Sequence, residues 1–294
     1  MFPFNPQQKL IFYSLFKAPR LNLLRYTNLD PMNELVLSGR YEIVKPLGGG
    51  GFGQTYLAKD RYLPEQPLCV VKQLKPRSND PRILEVAKQL FEREAKMLYI
   101  LGDRCDAIPR LLAHFDEGGE FYLVQEYIQG RTLDSIILPG ERLSESKVME
   151  LLQKILEPLS VVHQARVIHR DIKPANLIWR NCDSKIVLID FGAVKALRAV
   201  DSDCPDTTAL TVAVGSPGYM PSEQLAGYPQ LSSDIYAVGT ICVQALSGLT
   251  CRQIPKQPDT GEFDWQAMEL TIDPEFAKLL ARMVGVAQLI DESL

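Results

Sequence analysis

The chain has 294 residues, 46% of them hydrophobic and 23% charged, ordinary globular usage that excludes intrinsic disorder and a collagen-like repeat. Its 32 basic and 36 acidic residues leave a formal charge of -4, too little positive charge to track a nucleic-acid backbone, so no nucleic-acid partner is expected. The length allows one large domain or two smaller lobes, and two lobes is the expectation.

Residues 1–39 differ from the rest. Leu10–Phe16 is a short apolar run between Lys9 and Lys17, with Arg20 and Arg25 following. It is too short to cross a bilayer, and Ala18, Pro19 and Arg20 supply no small-residue cleavage site. Two readings stand: a basic amphipathic anchor at a membrane surface, or a tail that packs loosely on the main domain or is partly disordered.

From Arg40 the pattern becomes regular. RYEIVKPL, a glycine cluster and QTYLAKD read as two strands joined by a glycine turn, and LCVVKQL as a further strand. Ile83, Val86, Leu90, Met97 and Leu101 fall mostly on one face of a helix over 82–101 that opens after Asp80 and Pro81. FYLVQEYI is another strand, and beyond Gln129 and Gly130 the chain is expected to turn helical. Val148, Leu152, Ile155, Leu159 and Val162 recur at intervals of four and three, the stripe of a buried amphipathic helix, with Pro158 inside it. Cys69, Cys105, Cys182, Cys204, Cys242 and Cys251 show no CxxC spacing, and His114, His163 and His169 cluster with none of them. Neither a zinc site nor a disulfide framework is expected, which favours a reducing compartment. No run of about 18 apolar residues occurs, so the expectation is a cytoplasmic protein without a transmembrane segment.

Two stretches carry chemistry. LGGGGFGQTYLA contains GxGxxG at Gly48, Gly50 and Gly53, where missing Cβ atoms let backbone amides approach a phosphate. The same glycines also suit a plain hairpin turn. A dinucleotide-binding unit needs a helix directly after the loop, and QTYLAKD continues as a strand, which rules that fold out. In VIHRDIKPAN, Asp171, Lys173 and Asn176 fall within one short loop: a carboxylate, an ammonium and an amide that together can orient a hydroxyl, neutralise a phosphate and ligate a metal. Further on, Asp190 ends the apolar IVLID stretch ahead of a glycine, a carboxylate suited to magnesium.

With GGGGFG, VVK at Lys72, FEREA at Glu94, HRDIKPAN, DFG at Asp190, GSPGYMPSE ending at Glu223 and SSDIYAVG with Asp234 in this order, the sequence resembles the eukaryotic-like protein kinases. The wording of GGGGFGQTYLAKD and CVVKQLKP looks most like the serine/threonine kinases of cyanobacteria. The resemblance implies an α+β, bilobal fold. A small β-rich lobe with one helix would span 40–128 and a larger, mainly helical lobe 129–294, after a weakly structured extension over 1–39.

It also implies an enzyme that transfers the γ-phosphoryl group of ATP to Ser or Thr hydroxyls of protein substrates. Lys72 would hold the α- and β-phosphates, paired with Glu94. Asp171 would accept the hydroxyl proton, Lys173 would steady the transferred group, and Asn176 and Asp190 would hold Mg2+. The loop Gly48, Gly49, Gly50, Gly51, Phe52 and Gly53 would cover the phosphates. Leu47, Thr55 and Val70 above and Ile178 below would enclose the adenine, with backbone groups of Glu126 and Ile128 beside it. Thr55 and Val70 replace the family's usual valine and alanine. Gln125 guards the rear of this pocket, either hydrogen-bonded within the lobe or altering nucleotide affinity. Lys173 implies serine/threonine acceptors, and Ser216 occupies the usual threonine position.

Thr211, Thr208 and Thr207, with Ser202, lie between Asp190 and Glu223. They are either plain loop hydroxyls or phosphorylation sites whose added charge Arg170 and Lys195 would meet. After Met283 the sequence VGVAQLIDESL contains no arginine, so the resemblance implies a second lobe truncated or altered there. Glu223 would then lack its arginine partner and the domain would be marginally stable. The alternative reading is a catalytically impaired, kinase-like nucleotide-binding scaffold.

Overall fold

The computed structural model describes residues 35–49, 53–74, 81–191, 195–196, 215–257, 263–264, 267–268 and 270–285. Contacts divide the chain into two units: residues up to Ala95 with Leu111–Tyr127, and Lys96–Arg110 with Ile128 onward.

The first unit is built on a six-stranded antiparallel sheet. Its strands are β1 (Val36–Leu37), β2 (Tyr41–Gly49), β3 (Gly53–Asp60), β4 (Leu68–Leu74), β5 (Leu111–Glu117) and β6 (Glu120–Glu126), in the order β1-β2-β3-β4-β6-β5. Val36 and Leu37 already pair with Glu42 and Tyr41, so the sheet begins ahead of the regular pattern expected from Arg40. Alternation decides which side chains go where. Tyr41, Ala58, Cys69, Val71, Tyr122 and Val124 pack into one core with Leu37, and Phe115 stacks between Tyr41 and Tyr122. The opposite face carries Lys72, Val70 and Leu123. There the helix α1 (Pro81–Gly102) lies against the sheet, with the Phe91 and His114 rings 5.9 Å apart.

The second unit is mainly helical. Helix α2 (Glu145–Gln164) buries Val148, Leu152, Ile155, Leu159 and Val162, the stripe read from the sequence, and Pro158 is buried with them. Short strands β7 (Gly130–Thr132), β9 (Leu177–Arg180) and β10 (Ile186–Leu188) form an antiparallel sheet in the order β10-β9-β7. The expected helix beyond Gly130 is therefore a correction: β7 comes first, then a single 3-10 turn at Leu133–Ser135. Gly130 lies so close to the Trp179 carbonyl that a Cβ would collide with it, and pairing with β9 overrides the local preference. Strand β8 (Val167–Ile168) pairs with β11 (Lys195–Ala196).

Helices α3 (Ser222–Leu225), α4 (Leu231–Ser247) and α5 (Pro274–Val284) complete the unit. Almost all of α4 is buried, as its apolar composition all round demands. It starts at a capping box between Gln230 and Ser233 and stops at Gly248, whose φ of 71° is the left-handed cap that glycine adopts without a Cβ penalty. α5 starts on Asp273, which accepts hydrogen bonds from the amides of Glu275 and Phe276. Among the described residues no helix is long and apolar enough to cross a membrane.

Candidate active site

The candidate site residues fall into two groups of side chains, one in each unit. In the first, the antiparallel register sets Thr55 opposite Lys72, Val70 opposite Gln125 and Cys69 opposite Glu126. Thr55, Val70, Lys72 and Gln125 thus share one face of the sheet. On that face the Lys72 ammonium donates to the Glu94 carboxylate of α1, with only 15% and 5% of the two side chains exposed. The expected pair is present. Of the glycine loop, Gly48, Gly49 and Gly53 belong to the β2–β3 hairpin, and Gly50, Gly51 and Phe52 lie outside the described residues. A Cβ on Gly53 would collide with the Gln73 carbonyl oxygen, so only glycine fits there, whereas Gly48 faces open space. Leu47 is exposed, Val70 buried and Thr55 half-buried. Gln125 is buried, and its Oε1 accepts no hydrogen bond among the described residues, so of its two readings a bond within the lobe is not made through that atom.

In the second unit the loop after β8 is held by its backbone. Asp234, in the first turn of α4 and fully buried, accepts from the His169 amide at 2.9 Å and the Arg170 amide at 2.8 Å. His163 Nε2 of α2 lies 2.8 Å from the same carboxylate. Arg170 and Asp190 adopt left-handed backbone angles, φ 71° and 69°, which non-glycine residues hold only where the surroundings over-determine them. Fixed in this way, the loop presents Asp171. Lys173 Nζ donates to Asp171 Oδ2 at 2.7 Å, Asn176 Nδ2 donates to Oδ2 at 2.9 Å, and Ser216 Oγ donates to Oδ1 at 2.8 Å. Burial holds the His169 imidazole below its ordinary pKa, and its ring lies 4.8 Å from that of Phe191.

Asn176 and Asp190 are brought near each other by the Ile189 amide, which donates to the Asn176 carbonyl at 3.0 Å. Both hydrogen bonds of the Asn176 side chain use Nδ2, so its amide oxygen is not engaged by them. One carboxylate and one amide oxygen form a hard-oxygen donor set, which fits a magnesium ion that keeps waters and substrate phosphates as its other ligands. Ile178 lies half-buried on β9 and Ile128 is buried. Thr207, Thr208 and Thr211 lie outside the described residues.

Glu223 is half-buried, and its Oε1 accepts from Ser233 Oγ at 2.8 Å, a neutral hydroxyl where the resemblance implies an arginine. Sequence reasoning also missed what Asp234 and His163 do. A carboxylate in the most apolar of the described helices, and a histidine one turn beyond Leu159 on the buried stripe, were the available signals.

A model of the protein kinase domain matches residues 41–284. The chain belongs to the protein kinase family. This kinase domain is 46% identical over 258 residues to serine/threonine-protein kinase B of Synechocystis sp., covering 87% of the chain and 45% of that relative. It is 42% identical over 252 residues to serine/threonine-protein kinase PknA of Nostoc sp., covering 86% and 45%. Serine/threonine-protein kinase PrkC of Bacillus subtilis is 31% identical over 216 residues, covering 72% and 31%. The kinase domain is thus of the cyanobacterial, eukaryotic-like type and spans about half the length of the cyanobacterial relatives it matches. The bilobal α+β expectation agrees with the sheet-based first unit and the helical second.

Proposed function

We propose that this domain transfers the γ-phosphoryl group of ATP to Ser or Thr hydroxyls of protein substrates, as a signalling enzyme of the cytoplasm. The observation that carries the reading is the single cluster formed by Asp171, Lys173 and Asn176 on a loop whose backbone Asp234 anchors. Phosphoryl transfer requires mostly positioning and charge, and this cluster supplies both. Asp171 takes the proton of the acceptor hydroxyl and Lys173 steadies the transferred group. Lys72, oriented by Glu94, holds the α- and β-phosphates. The glycine hairpin, Leu47, Thr55, Val70, Ile178 and the backbone of Glu126 and Ile128 receive the rest of the nucleotide. Asn176 and Asp190 hold magnesium, which when bound neutralises charge on the phosphate oxygens. Thr211, Thr208 and Thr207 are phosphorylation sites in this reading. The five free thiols among the described residues support a reducing compartment.

The impaired-scaffold alternative drew on the altered sequence after Met283, whereas Asp171, Lys173 and Asn176 are all present and joined in one cluster, which supports the active reading. The test is incubation with labelled ATP and magnesium, with and without a basic protein acceptor, beside Asp171→Asn. Loss of a positioned base costs on the order of 10² to 10⁴ in rate, so the variant should bind ATP in a thermal-shift assay and transfer almost nothing. Undiminished transfer by Asp171→Asn would remove Asp171 from the mechanism.

A further inference from the structure

Arg170 holds its left-handed backbone angle one residue ahead of Asp171, and side chains from distant parts of the sequence grip both of its backbone polar groups. Asp234 Oδ1 accepts from the Arg170 amide at 2.8 Å, and Gln224 Nε2 donates to the Arg170 carbonyl at 2.6 Å. The two grips are not equivalent. The Asp234 bond acts on the peptide unit ahead of Arg170, the Gln224 bond on the unit that joins Arg170 to Asp171. That unit is planar, so its carbonyl oxygen and the Asp171 amide can only turn together. On the amide side the hold is weak, 3.4 Å from the Asp171 nitrogen to His169 Nδ1. The Gln224 bond is therefore the firm one on the plane from which the Asp171 side chain departs. Gln224 is built into the fold for it. Lying on α3, it is 2% exposed, and a Cβ on Gly215 would lie 2.7 Å from its Nε2 and 2.8 Å from the Arg170 carbonyl oxygen, so the three meet in one close junction. The residues next to Gln224 and Asp234 are joined as well, Ser233 Oγ donating to Glu223 Oε1 at 2.8 Å, so both grips share one support. Burying a primary amide is costly unless it is hydrogen-bonded, and an apolar side chain would fill the same space at lower cost.

We propose that Gln224 is a positioning residue for phosphoryl transfer: its amide sets the Arg170–Asp171 peptide plane and thereby aims the Asp171 carboxylate at the acceptor hydroxyl. This rests on the kinase reading above, in which Asp171 is the base. Without the donor, the left-handed Arg170 relaxes, the plane turns, and the Asp171 oxygens leave the line of the acceptor proton. Lys72, Glu94 and the glycine hairpin belong to the other unit and keep their places, so the hold on the nucleotide is unchanged.

The experiment follows label transfer from ATP with magnesium to a basic protein acceptor for the full chain, Gln224→Met, Asp171→Asn and the double variant. Rates are expressed per ATP-binding site, counted by nucleotide titration, so that a partly folded variant does not pass for a slow one. Label of high specific activity reads the residual transfer of the Asp171→Asn background. Gln224→Met keeps the length of the side chain and removes the donor. Its kcat should fall about 10- to 100-fold, the scale of a reacting group misplaced by about 1 Å, with the KM for ATP unchanged. In the Asp171→Asn background the same substitution should change transfer by less than about twofold, because the base it aims is already gone. A kcat per site equal to that of the wild type overturns the inference. An equal fold-loss in both backgrounds overturns it too, since a merely structural role would lower both alike. Wild-type protein that labels no acceptor, or Asp171→Asn that labels it undiminished, overturns the kinase reading on which the inference rests.

Discussion

His163 Nε2 and Asp234 Oδ2 lie 2.8 Å apart across 71 residues of sequence, and the same carboxylate holds the amides of His169 and Arg170. The carboxylate is the common acceptor for three donors, two of them on the backbone that carries Asp171. Asp234→Asn leaves one acceptor oxygen and turns an NH₂ group toward an amide donor. A buried donor left unsatisfied costs about 1–3 kcal/mol, so denaturant unfolding should show a loss of that size. Transfer should fall through kcat with little change in the KM for ATP, because the loop that moves carries the proposed base, Asp171. An unchanged kcat would show that the loop holds its form without the carboxylate.

The α2 stripe was legible in the sequence because its apolar period records burial directly, and the glycine hairpin because its glycine cluster marks a turn between two strand-like runs, although β2 is exposed beyond Ile43. Strand β5 went unread: its residues are only half-buried or exposed in alternation, as befits the edge of the sheet, so LLAHFDE carries no full apolar signal. β7 was missed because its partner β9 lies some fifty residues away and the helix-compatible segment after it has no local sign of pairing. The positions of Asp171, Lys173, Asn176 and Asp190 were visible as dense polar residues after apolar stretches. The part of Asp234 was not, since it depends on backbone amides 64 and 65 residues away.

Stability should fall on mild acidification, and His169 supplies part of the fall. Burial holds its pKa below the ordinary value, against the weaker upward pull of Asp234, Asp171 and Asp190. Below the unfolded pKa of about 6.5 the unfolded chain takes up a proton that the folded imidazole refuses. Stability therefore rises with pH through this window, with a contribution of at most about 1.4 kcal/mol per pH unit, and is lost as pH falls toward the depressed folded value. Urea unfolding of wild type and His169→Gln between about pH 5 and 7 should give a smaller slope for the variant. Equal slopes would mean that folded His169 takes up its proton as readily as the unfolded residue.

Helix α5 depends on its cap. Asp273 Oδ1 accepts from the amides of Glu275 at 2.9 Å and Phe276 at 3.1 Å, ahead of Pro274, which has no amide to satisfy. Asp273→Ala should cost about 0.5–2 kcal/mol, read as a lowered denaturation midpoint. Transfer should be unaffected at temperatures where the domain remains folded, because none of the proposed site residues lies on this helix. A loss of transfer without loss of stability would assign α5 a part in catalysis.

The Lys72–Glu94 pair joins the central strand β4 to α1 inside the first unit, and both charges are largely buried. Removing one partner of such a pair strands the other, which costs about 3–5 kcal/mol in well-buried cases. Removing both takes away the two charges of the pair together. The double variant Lys72→Met/Glu94→Gln should therefore be less destabilised than the sum of the single variants, with a coupling of about 0.5–3 kcal/mol. Transfer offers a second reading of the same cycle. If Glu94 acts by orienting Lys72, then Glu94→Gln lowers transfer in the wild-type background and adds nothing once Lys72 is methionine. Strictly additive losses, in stability and in transfer alike, would show two independent side chains.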